Sequence, residues 1–551
     1  MPKMSGGQAV VSSLVREGVD VIFGLPGVQM YGIIDALRDE PSIRMITARH
    51  EGTTTYMADG YARATGKPGV ALVVPGPGIY NAAAGLSTAY SRSSPVLMLA
   101  GQIPRATIGK NLGGLHEVND QIETIKPVTK WQKRVMRPHE VPGGIHEAFR
   151  QMKSGRPRPV EFELPPEAMV EREDVDLLEP APQERATPAS DRMTEAARLI
   201  AGARSPVIYA GGGVARSDAE AELVAFAEAT NIPVITSAGG KSTISDRHPL
   251  SLGSSLGPKG LVKEMMEQAD VVVVIGSRFS LRNPAGEKAK LVHIDADPSV
   301  IGQIYSNTLG LVGDVKATLI SLTSECEKAG AGKRPSPAAR VADIKATLEA
   351  SDDERDEPQD SILKSLRRGV PENAVTVFGM TQIGYYSRQH WPVYHEKTYI
   401  DSGYSGNLGF AYPTALGAKV GRPDVPVVSI SGDGGFMYYS GELATAVKYG
   451  INVVAVVFND NAFGNVARDL DQDFGGQYEV ALHNPDFVKL AEAYGVVGMR
   501  TEKPTDVEDL VADAVKLNKP VLIEVPVQRM PRPKLWAARA PWTKPQHGLI
   551  D

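Results

Sequence analysis

The chain has a single cysteine, Cys326, in 551 residues, which excludes an internal disulfide and suits a reducing compartment. It has no excess of basic charge. The net charge is −6 with an isoelectric point near 6.0, so no positive field points to nucleic acid. It has no run of about 18 uncharged apolar residues, so no membrane-spanning helix is expected. The N-terminal stretch MPKMSGGQAVVSSLVREGVD has no uninterrupted apolar core, so a secretory signal is not expected either. What the chain does have is an ordinary hydrophobic share, 42%, enough for real cores. At a prior of about 150 residues per domain, its length implies three or four domains. The default expectation is a cytoplasmic α/β enzyme acting on a small molecule, with no nucleic-acid or membrane partner.

Short apolar runs alternate with helical patterns along the chain. VDVIFG, RMITA, GVALVVPG and PVLMLAG come first, then PVIYAGG, NIPVITS, ADVVVVIG and KLVHID, then AVTVFG, VPVVSISG, NVVAVVFN and PVLIEVP. Continuous apolar strands of this kind belong to parallel sheets covered on both faces. Two segments break the pattern. EREDVDLLEPAPQERATPAS (171–190) is charged and Pro-rich; EKAGAGKRPSPAAR (327–340), with SDDERDEPQD (351–360) after it, is rich in Gly, Pro and charge. Both read as linkers. The expected fold is α/β, with three doubly wound parallel-sheet domains at about 1–175, 190–330 and 360–551. No short-period repeat is present, although the outer blocks share an architecture.

VPVVSI (425–430) reads as a buried strand, GDGG as a tight turn, and SGELATAVKYG (440–450) as a helix. Glycines let a backbone approach a ligand, and a helix N-terminus favours anions. NVVAVVF (452–458) is the next strand, ending on Asn459-Asp460-Asn461. Adjacent parallel strands bring their C-terminal ends together, where α/β sheets bind ligands. Asp433 and Asp460 are therefore expected to converge. Two hard oxygen ligands and a carbonyl leave the other positions of an octahedral Mg²⁺ for phosphate oxygens and water.

GDG, 24 further residues (435–458) and then Asn459-Asp460 resemble the signature of thiamine-diphosphate enzymes, and the likeness to acetolactate synthase and benzaldehyde lyase covers nearly the whole chain. It implies that Asp433, Asp460 and the carbonyl of Ala462 bind Mg²⁺, with Gly432, Gly434, Gly435, Phe463 and Gly464 beside the diphosphate. Relatives usually carry Asn at position 460; Asp keeps the oxygen ligand but adds a negative charge. Arg-His-Glu (49–51), then GYAR and GPG-x-x-N, resemble the pyrimidine-binding domain of the same enzymes. There the acid corresponding to Glu51 hydrogen-bonds the cofactor's aminopyrimidine, in the company of Pro26, Gly76 and Asn81. GYSGNLGFAYPTALGAKVG (403–421) and FGMTQ (378–382) resemble the diphosphate-binding domain. They imply roles for Gly379, Met380, Thr381 and Gly406, and a Leu408 wedge that bends the cofactor. In relatives two subunits share each cofactor, which implies a homodimer at minimum and commonly a homotetramer.

The middle block resembles the corresponding domain of acetolactate synthase through HPLSLGSSLGPKG, IGSRF and VHIDADP, a domain that binds FAD in that family. Gly211-Gly212-Gly213 lacks the third glycine of the dinucleotide fingerprint. A scaffold without FAD is the preferred reading, and an ADP-like regulator is another. Gln29 stands where benzaldehyde-lyase-like enzymes carry a catalytic His, and His116-Glu117 lies in the expected substrate loop; with Glu51, Gln29 and His116 are the expected catalytic residues. Val74 stands where benzoylformate decarboxylases carry a second His. NAFGNVARDLDQDFGG lacks the Trp that acetolactate synthases use to favour a larger acceptor. His50 is expected to be structural. The segment 528–545, with Trp536, Trp542 and five basic residues, reads equally as a surface tail or a lid. The leading expectation is 2-keto acid decarboxylation, carboligation to an acyloin or 2-hydroxy-2-keto acid, or both. The alternatives are a lyase of 2-hydroxy ketones or 2-hydroxyacyl thioesters, and a cofactor-binding subunit without turnover.

Overall fold

The apolar runs become strands because both of their faces are buried. In β4 (Gly69–Val73), Val70 and Leu72 enter one core while Ala71 and Val73 enter another. The same two-sided burial recurs in all three large sheets of the computed structural model, each of which is parallel throughout. The structure describes residues 2–180, 185–254, 256–257, 260–281, 285–286, 288–351 and 355–533.

A two-stranded antiparallel ribbon joins β1 (Lys3–Ser5) to β8 (Arg172–Asp174), so the stretch from 171 to 190 begins with a strand that returns to the N-terminus. The N-terminal sheet contains β2 (Val21–Gly24), β3 (Arg44–Thr47), β4, β5 (Val96–Gly101), β6 (Trp131–Arg134) and β7 (Val160–Leu164), in the order β3-β2-β4-β5-β7-β6. The middle sheet contains β9 (Val207–Ala210), β10 (Val234–Thr236), β11 (Val271–Ile275), β12 (Lys290–Asp295) and β13 (Thr308–Val312), in the order β10-β9-β11-β12-β13. The C-terminal sheet contains β14 (Val375–Phe378), β15 (Tyr399–Asp401), β16 (Val427–Gly432), β17 (Val453–Asn459), β18 (Val497–Arg500) and β19 (Val521–Pro526), in the order β15-β14-β16-β17-β19-β18. Helix Ala338–Ala350 begins inside the segment read as a linker at 327–340. Its Val341 and Ile344 pack into a core of the middle domain.

One core is shared by the two outer domains. Tyr56 and Met57 meet Phe410, Tyr412 and Leu416 in it. The crossing is between helix Glu51–Thr65 and helix Ala411–Gly421, and small residues make it possible. A Cβ on Gly60 would fall on the carbonyl of Thr414, and one on Gly417 would fall on the carbonyl of Met57. Close packing of this kind leaves helix Glu51–Thr65 buried from Gly52 through Ala64. Among the described residues no helix is long and apolar enough to cross a membrane.

Candidate active site

The strand orders reverse direction between β2 and β4 and again between β14 and β16, and doubly wound sheets open a ligand crevice at such points. The C-terminal crevice gathers almost every residue expected there. Gly379 N–H donates to the Ile430 carbonyl at 2.7 Å, and Thr381 N–H to the Gly379 carbonyl at 2.9 Å. A Cβ on Gly432 would lie 3.5 Å from Thr381, and one on Gly406 would lie 3.5 Å from the Met380 methyl. Leu408 is half-buried in the same loop, where Gly409 packs on Tyr438 and Tyr439. Gly434 faces the Phe463 ring, Gly435 faces the Gly409 amide, and Gly464 faces a carboxylate oxygen of Asp460.

The local backbone differs from the sequence expectation at one point. GDGG is not a tight turn: β16 runs through Gly432, and a helical turn begins at Asp433. A 3₁₀ segment (Met437–Glu442) then leads into helix Leu443–Tyr449, which is shorter than the helix expected over 440–450. The glycines here serve close approach, since a Cβ on Gly434 would meet the Phe463 ring at 2.8 Å.

Asp433 is buried, and burial pushes its carboxyl above the ordinary range against hydrogen bonds from Asn484 and backbone amides. Burial and the neighbouring Asp433 push the Asp460 carboxyl up to about 6. Both receive help from the Ala462 backbone amide. Neither has an ion-pair partner among the described residues, and no third acidic, imidazole or thiol group joins them to form a larger cluster. A buried and a half-buried carboxylate, both pushed up by burial and the second also by the first, are a hard-oxygen donor set that fits Mg²⁺. Asn484, which no sequence signal marked, ties the cluster together. Its Nδ2 donates to Asp433 Oδ2 at 2.6 Å and to Asn459 Oδ1 at 3.0 Å.

The N-terminal crevice holds a second group. Glu51 is the first residue of its helix and partly buried, and Asn81 Nδ2 donates to its Oε2 at 3.0 Å. His50 caps that helix by accepting from Gly52 N–H at 3.0 Å, and its ring packs edge-on to Tyr439. That is the structural role expected of it. Gln29 and His116 meet at 2.7 Å. Gly76 lies under the His116 backbone, and its N–H donates to Gln121 Oε1 at 3.0 Å. Pro26 is exposed in the loop that carries Gln29. Val74 packs against Gly27 and Gly78. Glu117 does not share the place of His116. Its carboxylate accepts from Leu112 and Gly114 amides and is held below the usual range by those bonds. Gln121, also missed in the sequence, bridges Gly76, the Gly101 carbonyl and Glu163.

Within one chain the Glu51 group and the Asp433 group lie on different domains. A cavity of about 1050 Å³ lies elsewhere, between Tyr61, Glu220, Ser242 and Lys397, and contains none of these residues. In the middle domain the glycine run is accounted for by packing. Gly211 and Gly213 both rest on the backbone of Gly276. Trp536 and Trp542 lie outside the described residues.

The fold thus presents two parallel α/β crevices, one carrying a helix-initial glutamate and the other a pair of aspartates. The chain belongs to the thiamine pyrophosphate enzyme family. The family's N-terminal TPP binding domain matches residues 4–124, its central domain residues 193–322, and its C-terminal TPP binding domain residues 379–525. A probable acetolactate synthase large subunit of Methanocaldococcus jannaschii is 35% identical, over 96% of this chain and 93% of its own length. An acetolactate synthase of Mycobacterium avium is 33% identical, over 95% and 87%. A probable 2-ketoarginine decarboxylase of Pseudomonas aeruginosa is also 33% identical, over 93% and 91%.

Proposed function

We propose that this chain decarboxylates a 2-keto acid, with or without carboligation to an acyloin or 2-hydroxy-2-keto acid, using thiamine diphosphate and Mg²⁺. The observation that carries the reading is the Asp433–Asp460 pair at the ends of β16 and β17, Asp433 buried and Asp460 half-buried, both carboxyls pushed up and neither in an ion pair among the described residues. Asp433, Asp460 and the Ala462 carbonyl would hold the metal. Gly379, Met380, Thr381, Gly406, Gly432, Gly434, Gly435, Phe463 and Gly464 would form the diphosphate bed, and Leu408 would support the cofactor's bend. When bound, thiamine diphosphate supplies a nucleophilic carbon and an electron sink for loss of CO₂. Glu51 holds and releases a proton at its Oε atoms, with Asn81 orienting the carboxylate. His116 handles a proton on the substrate side, with Gln29 beside it.

The two groups stand on separate domains, and the segments that carry them include exposed apolar side chains. Tyr31, Tyr80 and Leu115 are chain neighbours of Gln29, Asn81 and His116, and Val466 and Phe474 stand on the helix that follows Ala462. That supports a homodimer in which each site takes Glu51 from one chain and Asp433 from the other, with a homotetramer as the larger assembly. A cytoplasmic location accords with the lone buried cysteine. FAD is not part of the proposal, because the middle-domain glycines are already occupied by backbone.

One observation favours decarboxylation without ligation. Where acetolactate synthases carry Trp, this chain has no Trp in 462–476, and Asp469 is instead clamped by Arg468 and Arg532 at 2.9 Å each. The test is incubation with thiamine diphosphate, Mg²⁺ and a panel of 2-keto acids that includes pyruvate and 2-ketoarginine, following CO₂ and products by mass. Acetolactate would establish ligation, and an aldehyde alone would establish simple decarboxylation. Cleavage of benzoin or an acyloin without CO₂ from any acid would replace the proposal with a lyase. Cofactor binding without exchange of its C2 proton would leave a non-catalytic subunit.

A further inference from the structure

Two left-handed residues face each other at the N-terminal crevice. Gln29 has φ +65° and His116 φ +66°. Side chains other than glycine hold that region only where the surroundings impose it. Here they do. A Cβ on Gly101 would meet the Gln29 carbonyl oxygen at 2.6 Å, and a Cβ on Gly76 would fall on the His116 carbonyl. Glu117 ties the same loop to the Leu112 and Gly114 amides. Both side chains are therefore anchored at the ends of β4 and β5.

Their hydrogen bonds have one consistent assignment. The Leu115 carbonyl can only accept, so the end of Gln29 that lies 3.0 Å from it is the amide nitrogen. The amide oxygen then faces His116 Nδ1 at 2.7 Å. An amide oxygen also only accepts, so Nδ1 carries the hydrogen. In neutral His116, Nε2 is the nitrogen with the free lone pair.

We propose that Gln29 is a positioning residue that holds His116 in the Nδ1–H tautomer, so that Nε2 is a proton acceptor for a hydroxyl-bearing substrate carbon. The sequence had placed Gln29 itself among the catalytic groups; the geometry makes it act through His116 instead. The inference rests on the site reading above and sharpens it. When Nε2 takes a proton from a substrate oxygen, the resulting imidazolium keeps its Nδ1–H···Oε1 bond, and the same proton can return to substrate. Nothing is oxidised, and no bond to the protein forms. The amide orients the ring without adding a negative charge that would favour permanent protonation.

The test is ¹⁵N-histidine labelling of the full chain, with His116→Gln identifying the signal among the ten histidines. A protonated Nδ1 and bare Nε2 in the wild type, giving way to mixed tautomers in Gln29→Ala, is the expected result. An Nε2–H wild type, or a Gln29→Ala spectrum identical to it, overturns the proposal. This readout needs no turnover, so it decides the tautomer even if the 2-keto acid reading fails. In active enzyme, Gln29→Ala should lower kcat about tenfold with little change in KM, a part of the roughly hundredfold or more that a positioned acid–base group contributes. Nδ1-methylhistidine at position 116, which locks Nε2 bare, should restore most of that loss in the Gln29→Ala background. No restoration in an otherwise active enzyme counts against the tautomer; an inactive wild type counts against the 2-keto acid reading alone.

Discussion

The N-terminal and C-terminal sheets have their strands in the same relative order, second, first, third, fourth, sixth, fifth, and their registers align residue by residue. Gly101 pairs with Leu164 in one and Phe458 with Val525 in the other. PVEFELP (159–165) thus overlies PVLIEVP (520–526). Glu163 matches Glu524, and each is register-paired and ion-paired with an arginine on the edge strand, Arg134 and Arg500. Each also accepts an amide from the end of the fourth strand, Gln102 at 3.2 Å and Asn459 at 2.8 Å. This Arg–Glu–amide frame occurs in both crevices, so it is scaffolding. The difference lies one step beyond it. By the same registers Asp433 stands opposite Pro75, and Asp460 opposite Ile103. Only the C-terminal crevice therefore carries the paired aspartates. The N-terminal crevice is equipped instead with Glu51, Gln29 and His116. One architecture supplies two equivalent hollows, and a few loop residues decide which end of a cofactor each can hold.

The comparison breaks most visibly at Glu51. Glu51→Gln keeps the helix start but removes the proton site, and turnover should fall about a hundredfold or more while circular dichroism and melting temperature stay unchanged. Unchanged turnover would remove Glu51 from the chemistry. A second test sharpens the role of the paired carboxylates. Their folded-state proton affinities lie above the ordinary value of 3.8, with Asp460 at about 6. The metal-free folded site thus keeps protons that the unfolded chain has already released, and loses stability as pH rises through that window. Mg²⁺ displaces those protons, so it should stabilise the fold, by up to about 2.7 kcal/mol at a hundredfold excess over Kd, and raise the melting temperature more at pH 7.5 than at pH 5. Asp460→Asn should flatten this dependence; an equal shift at both pH values in the wild type would show that the carboxylates do not hold the ion. The smallest effect concerns the scaffold. Glu161 overlies Leu522 and is fully buried beside Glu163, and burial and that neighbour push its carboxyl far up. A raised folded value costs stability once pH passes the ordinary range. Glu161→Leu should therefore stabilise by about 1–3 kcal/mol at pH 7.5 and by less near pH 4.5, as thermal unfolding would show.

Much of this was legible in the chain. β4, β5, β16 and β17 fall within apolar runs, because strands buried on both faces need continuous apolar sequence. Asp433 and Asp460 were expected to converge because parallel strands end together. The backbone of GDGG was misjudged, since glycines suggest turns by their freedom, whereas here they serve close approach beside Phe463. Asn484 and Gln121 were missed because their partners lie on other segments, 51 residues away for Asp433 and 45 for Gly76.

What the sequence by itself determined was the set of parallel α/β units and the carboxylates at their strand ends, because hydrophobic periodicity and strand direction are local properties. What only the tertiary structure decided was which polar groups meet. Asn484 on Asp433, Gln29 on His116 and the equivalent Arg–Glu frames depend on side chains arriving from distant segments, and no spacing along a chain records the direction in which an amide or an imidazole finally points.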